Sequence, residues 1–288
     1  MKFSKKIFLT GATGLLGSRL YPFLKQQGFN VVGQGNSIKT DVNCDLRCQE
    51  ATEQLLNTVQ PQLIVNLAGL TDVDKCEQQL QDAYLLNVKT AENIVGWIKQ
   101  HPGVKIMHIS TDQLYDGPGP HSEQDVMPVN VYGFSKYCAE KVVQQVESTI
   151  LRTNFFGKSS VPHRKSFSDW LIESFQKQVP IKLFTDVFFS PLSLDTLVEI
   201  MAKIVGNPMP GVFNLGSRDG MSKRDFGIEL ARFFSLSTDC VQDALAAEQK
   251  LGARRPKDMR MDCSFFEKTF NIKLPLLKDE IRRLKVES

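Results

Sequence analysis

The sequence lacks any long apolar run. No stretch approaches the roughly 20 apolar residues of a membrane span, and the apolar residues that follow the basic start Met1–Lys6 meet Gly11 at once, which is wrong for a secretory signal. Long runs of lysine and arginine are also missing, and the net charge is +3, so there is no electrostatic footprint for nucleic acid or a membrane surface. The six cysteines, Cys44, Cys48, Cys76, Cys138, Cys240 and Cys263, form no CxxC pair and no Cys/His pattern at metal-ligand spacing. They read as reduced thiols of a cytoplasmic protein, with no metal site. The four histidines, His101, His108, His121 and His163, stand apart from one another and read as satisfied structural residues. Internal repeats and low-complexity segments are absent too. What remains is a chain of 288 residues, long enough for one large α/β domain or a large domain with a smaller companion, acting on a small partner.

The first positive signal is the apolar run Ile7-Phe8-Leu9-Thr10, typical of a buried strand, leading into Gly11-Ala12-Thr13-Gly14-Leu15-Leu16-Gly17. Leu15, Leu16, Leu20 and Leu24 then recur at helical spacing. A strand, a glycine loop and a helix make the dinucleotide-binding context, in which glycines permit the turn and admit a pyrophosphate against the backbone. The spacing here is GxxGxxG, and taken alone such a loop is also compatible with a structural turn.

A second strand is expected at Asn30-Val31-Val32-Gly33. The residues that follow it, Gln34, Gly35, Asn36, Ser37 and Ile38, include no carboxylate of the kind that binds ribose hydroxyls in the common NAD fingerprint. Lys39 suits a 2′-phosphate, which leans the expectation to NADPH over NADH, although an exposed loop lysine explains it as well. Further along, the pattern predicts a helix over Gln49 to Val59, a strand at Leu63-Ile64-Val65-Asn66, one helix from Leu80 to Lys99 and a strand over Val104 to Ile109 that ends at Ser110-Thr111-Asp112. Asn87 within that helix is either a buried hydrogen-bonding residue or an ordinary polar position.

After the turn-rich Gly117-Pro118-Gly119-Pro120 comes Tyr132-Gly133-Phe134-Ser135-Lys136. On a helix, a spacing of four puts the phenol and the ammonium on one face. An adjacent cation favours phenolate and brings a tyrosine toward the working range of an acid–base catalyst. The bland alternative is a solvated helix face. A strand at Thr149 to Thr153, helices at Phe167–Lys177, Leu194–Ile204 and Lys223–Phe234, and strands at Ile181–Phe184 and Gly211–Leu215 complete the pattern. No linker marks a boundary. The densest basic cluster, Arg254-Arg255-Pro256-Lys257, is either a solvated loop or a phosphate-recognising element.

Together, the glycine loop, the Ser110-Thr111-Asp112 strand end and the Tyr132–Lys136 helix resemble the extended short-chain dehydrogenase/reductase family. Within it the chain looks most similar to the dTDP-4-dehydrorhamnose reductase branch, through Asn66 to Lys75, Tyr115-Asp116-Gly117, Leu151-Arg152-Thr153 and Arg255-Pro256 before Met261-Asp262. The resemblance implies a Rossmann-type doubly wound parallel sheet over about residues 1–153 and a smaller substrate-binding region over 154–288, with some segments returning to the main sheet. It implies an NAD(P)-dependent oxidoreductase that reduces the 4-keto group of a nucleotide-linked deoxysugar.

By the same resemblance, Gly11, Gly14, Leu15, Leu16 and Gly17 cradle the pyrophosphate, Asp45 and Leu46 border the adenine, and Ala68, Gly69 and Leu70 line the ribose. Tyr132 is then the proton donor and Lys136 holds the nicotinamide ribose and tunes the phenol. Thr111 bonds the substrate oxygen, and Asp112, Asn154, Phe155 and Arg255 are further substrate contacts. Gln113 replaces an aromatic usual after the aspartate, and Phe155 replaces a frequent tryptophan, which leaves the sugar open. Two other readings stand beside this one. The same branch resembles the non-enzymatic β subunit of methionine adenosyltransferase, and a sugar-nucleotide epimerase or dehydratase shares the fold. The oligomeric state, a homodimer included, is open.

Overall fold

The computed structural model describes residues 5–36, 40–162 and 164–284. Lys39, on which the lean to NADPH rests, and His163 lie outside the described residues. In order the elements are β1 (Lys6–Thr10), α1 (Gly17–Gln26), β2 (Asn30–Gly35), β3 (Val42–Asn43), α2 (Gln49–Val59), β4 (Leu63–Asn66), α3 (Val73–Gln78), α4 (Leu80–Ala83), α5 (Thr90–Lys99), β5 (Lys105–Thr111), α6 (Val131–Val143) and β6 (Ser148–Thr153). They continue with β7 (Phe155–Phe156), α7 (Phe167–Lys177), β8 (Ile181–Phe184), β9 (Phe188–Phe189), β10 (Leu192–Ser193), α8 (Leu194–Gly206), β11 (Gly211–Leu215), β12 (Met221–Ser222), α9 (Lys223–Phe233), β13 (Val241–Ala244), α10 (Ser264–Phe270) and α11 (Leu277–Arg282).

One sheet has seven strands in the order β3-β2-β1-β4-β5-β6-β11. Neighbours from β3 to β5 run parallel, with Leu9 paired to Val65 and Val65 to Met107. The order reverses between β1 and β4, which in a doubly wound sheet is where ligands bind, beyond the carboxyl ends of the strands. This is the Rossmann-type α/β arrangement expected from the motif order. β4 is buried at all four positions, as a strand covered on both faces must be.

The chain falls into two compact units. The first comprises Met1–Ser110, Val131–Leu151 and Val198–Val212. Its core joins Phe8, Ile64 and Ile106 of the sheet to Leu56, Ile94 and Trp97 of the helices. Each such side chain contributes about 1.5–3 kcal/mol on burial. The second comprises Thr111–Asn130, Arg152–Leu197 and Phe213–Ser288. Aromatic packing dominates it, with Phe226 edge-on to both Phe156 and Phe189. Two of its helices start on sequence signals: Ser166 and Asp169 form a reciprocal capping box for α7, and Ser222 caps α9 through the Asp225 amide.

The segment expected as one helix from Leu80 to Lys99 is continuous but not uniform: it widens into a π turn over Tyr84–Lys89 between α4 and α5. Such turns re-aim side chains, and here the π turn carries the buried Asn87. No helix among the described residues is long and apolar enough to cross a membrane.

Candidate active site

In the first unit, Gly11 has φ +64°, a conformation that strains any residue with a side chain. A Cβ on Gly17 would collide with the Gly11 carbonyl oxygen, so only glycine lets α1 begin this close to the loop. The Gly14 amide donates to the Gly11 carbonyl at 3.0 Å and the Ala12 amide to Gln34 O at 2.9 Å. Among the described residues no protein acceptor meets the amides of Leu15 and Leu16. They lie at the positive end of the ten-residue α1, which suits a phosphate group.

Gln34, where an acid is often found, turns inward instead. Its Oε1 accepts the Gly11 amide at 3.1 Å and its Nε2 donates to Cys44 O at 2.7 Å, so it braces the glycine loop. Asp45 is engaged by Arg47 at 2.7 Å, and that guanidinium holds its carboxyl below the usual range. Leu46 packs in the core, and its carbonyl accepts from Asn93 at 2.9 Å.

Beyond β4 the backbone is tied down from two sides. Leu67 and Ala68 donate their amides to Thr10 Oγ1 at 3.0 and 3.1 Å. Asn87 takes the Leu70 amide on Oδ1 at 2.7 Å and donates from Nδ2 to Leu70 O at 3.1 Å and to Ser135 Oγ at 2.8 Å. Asn87 is therefore the buried hydrogen-bonding residue of the two readings left open by the sequence. A Cβ at Gly69 would come within 2.8 Å of Asn87 Oδ1.

Tyr132 and Lys136 both lie on α6 and are 8% and 5% exposed, so they do not form a solvated face. Tyr132 packs with Cys76 and Ala83. Lys136 Nζ donates to Ile109 O at 2.6 Å. Burial brings its pKa down to about 8, against the opposing pull of the Glu140 carboxylate. His108 Nε2 is 3.4 Å from the same nitrogen. Burial and the lysine push the imidazole well below its ordinary pKa. His108, read from the sequence as an isolated structural residue, is thus a neighbour of the lysine. Next on β5, the Ser110 hydroxyl is buried with no partner among the described residues. A buried group left unpaired in this way fits a site that receives a polar ligand atom.

In the second unit, Thr111 Oγ1 accepts the Gln113 amide at 3.2 Å and lies 3.4 Å from Asp112 Oδ1. Asp112 is 1% exposed, and Asn154 Nδ2 donates to its Oδ2 at 2.6 Å. Its charge partner is Lys223, whose ammonium sits 3.3 Å from the Phe189 ring centroid and 4.6 Å from that of Phe167. Burial pushes the Asp112 carboxyl up while Asn154 and Lys223 hold it back; burial pulls Lys223 down while Asp112 opposes.

The sequence reading missed Lys223. A signal existed: a lysine as the first residue of a helix opposes the macrodipole and asks for a reason. Phe155 is half-buried on β7, paired to Leu192. Arg255 is half-buried and donates to Ala253 O at 3.0 Å. The rest of the basic cluster is partly structural, since Arg254 and the Lys257 amide both bind the Asp116 carboxylate at 2.7 Å.

A glycine cradle with donor amides, a buried amine on a helix face with a tyrosine, and a hydroxyl-bearing strand end can hold a dinucleotide and move a proton. The dTDP-4-dehydrorhamnose reductase of Sinorhizobium fredii is 30% identical over 84% of this chain and 86% of its own length. Methionine adenosyltransferase 2 subunit beta of Rattus norvegicus is 26% identical over 92% of this chain and 82% of its own. Among solved structures, the dTDP-4-dehydrorhamnose reductase of Bacillus anthracis in complex with NADP superposes with a TM-score of 0.88 at 22% identity, covering 99% of this chain and all of the other, a likeness of fold. The model of the RmlD substrate binding domain matches residues 5–287. A match of that extent, on a chain with this fold and these motifs, means that the protein belongs to the RmlD substrate binding domain family.

Proposed function

We propose that this protein is an NAD(P)H-dependent reductase of the 4-keto group of a nucleotide-linked deoxysugar. The observation that carries the reading is the buried Lys136 amine, on one helix with the buried Tyr132 and bonded to β5 at Ile109, two residues before Thr111. The first unit takes the dinucleotide, its pyrophosphate on the Gly11, Gly14, Leu15, Leu16 and Gly17 turn and its ribose along Ala68, Gly69 and Leu70, with Asp45 and Leu46 near the adenine. The second unit supplies Thr111, Asp112, Asn154, Phe155 and Arg255 to the sugar nucleotide. When bound, the nicotinamide supplies the hydride. Tyr132 gives its proton to the substrate oxygen as negative charge develops there, and Lys136 stabilises the phenolate left behind; for Thr111 the family resemblance implies a hydrogen bond to the substrate. Asp112 accepts from a sugar hydroxyl.

The test is cofactor oxidation by the purified protein over a panel of 4-keto nucleotide sugars, with NADPH and NADH in parallel. Net oxidation that depends on the sugar is expected, and Tyr132→Phe should lower kcat by about 10²–10⁴. Turnover of Tyr132→Phe near that of wild type would remove Tyr132 from the mechanism. The likeness to a methionine adenosyltransferase subunit supports a second reading, a cofactor-binding regulatory partner. That reading expects no turnover with any sugar and co-purification with a catalytic subunit. An epimerase would instead turn over without net cofactor consumption.

A further inference from the structure

The hydrogen bonds that run from Thr10 to Lys136 have a direction, and it can be read from donors alone. Thr10 Oγ1 already accepts two backbone amides, from Leu67 and Ala68, so its own proton is donated onward, to Asn66 Oδ1 at 2.7 Å. This sets the Asn66 amide with oxygen toward Thr10 and NH2 toward His108 Nδ1 at 3.0 Å. The flipped amide would crowd a third N–H onto the threonine oxygen and strand a buried hydroxyl proton. An NH2 group only donates, so Nδ1 is the bare nitrogen and the neutral imidazole carries its proton on Nε2. That nitrogen is the one 3.4 Å from Lys136 Nζ. All four side chains are buried.

An ammonium has three donors and no lone pair; an amine has one lone pair. We propose that His108 is a positioning residue which the Thr10–Asn66 pair locks with its proton on Nε2, so that it meets Lys136 as a donor and favours the uncharged amine. Among the described residues, the groups seen to act on that amine are Glu140 on α6, which favours the ammonium, and His108 and the Ile109 carbonyl on β5. The depressed pKa of Lys136 and the neutrality of His108 agree with this arrangement. The importance of the amine to turnover rests on the function proposed above, but its charge state does not.

The experiment uses the full chain labelled with 15N-histidine, which is tractable with four histidines, and assigns the His108 ring by through-bond correlation. The expected result is a neutral ring with the proton on Nε2 across about pH 5–8, where an ordinary histidine titrates. A proton on Nδ1, or a charged ring within that range, would overturn the proposal.

Asn66→Asp provides the second arm. Its carboxylate accepts from both Thr10 and His108, which should move the proton to Nδ1 and leave Nε2 to accept from the ammonium. Followed by 13C at the lysine Cε, the acidity of Lys136 should then fall about tenfold or more. The same substitution in a His108→Phe background measures the effect of the added charge alone and should give a smaller change; an equal change in both backgrounds sinks the idea. Neither arm needs turnover, so inactivity on every sugar nucleotide would refute the proposed function and leave this inference standing.

Discussion

Replacing Asn87 with leucine tests whether this one side chain ties the loop after β4 to the helix of the Tyr132–Lys136 pair. Leucine keeps the branched heavy-atom skeleton of asparagine, so the main perturbation is the loss of three hydrogen bonds, two to Leu70 and one to Ser135 Oγ. Each is worth about 1 kcal/mol net, and the Leu70 amide and carbonyl, left partly buried, add a penalty at the lower end of about 1–3 kcal/mol each. Ser135 keeps its bond to Tyr132 O at 2.8 Å and adds little. Against this, the buried leucine contributes about 1.5–3 kcal/mol of apolar transfer. The net expectation is a loss of about 2–3 kcal/mol in the first unit.

That unit has its own reporter, since Trp97 is in its core while the second tryptophan, Trp170, belongs to the other unit. Urea unfolding followed by Trp97 fluorescence in a Trp170→Phe background should show a lower midpoint at unchanged slope. Affinity for NAD(P)H should fall in parallel, because Leu70 loses its anchor while Thr10 still holds Ala68. A loss below about 1 kcal/mol together with unaltered cofactor binding would refute the bridging role.

Two further outcomes concern charge. Lys223→Met keeps a side-chain stem against Phe167 and Phe189 but removes the cation facing Asp112, so the carboxyl pKa, already raised, should rise further. The penalty should be absent near pH 4, where the carboxyl, raised to about 6, is protonated in the folded state of both proteins, and grow to about 1–3 kcal/mol by neutral pH. Denaturant melts showing the same loss at both pH values would count against the pairing. For Lys136, the folded pKa of about 8 lies below the ordinary lysine value near 10.4. Between these limits the unfolded chain binds more protons, so wild-type stability should rise with pH relative to Lys136→Met, and lose that gain as pH falls through about 8. A flat difference between the two proteins across this window would contradict a buried, depressed lysine.

Local pattern alone determined much of this molecule. α2, β4, α7, β8 and β11 fall where the apolar pattern predicts them, because their burial follows from their own periodicity. The glycine turn and the four-residue step from Tyr132 to Lys136 are equally local, since each is a matter of backbone geometry within one or two turns. Tertiary structure decided the rest. Two-residue strands such as β7, β9, β10 and β12 exist only because a partner from elsewhere in the chain pairs with them. Whether Asn87 is buried, whether the face bearing Tyr132 and Lys136 is wet, and whether His108 stands alone all depend on segments distant in sequence. Lys223 and Asn154 both reach Asp112 through the folding of the second unit, which no window of sequence contains. Periodicity records which face of an element avoids water; which polar groups meet once that face is buried is set by packing, and that decides the charge states on which the chemistry depends.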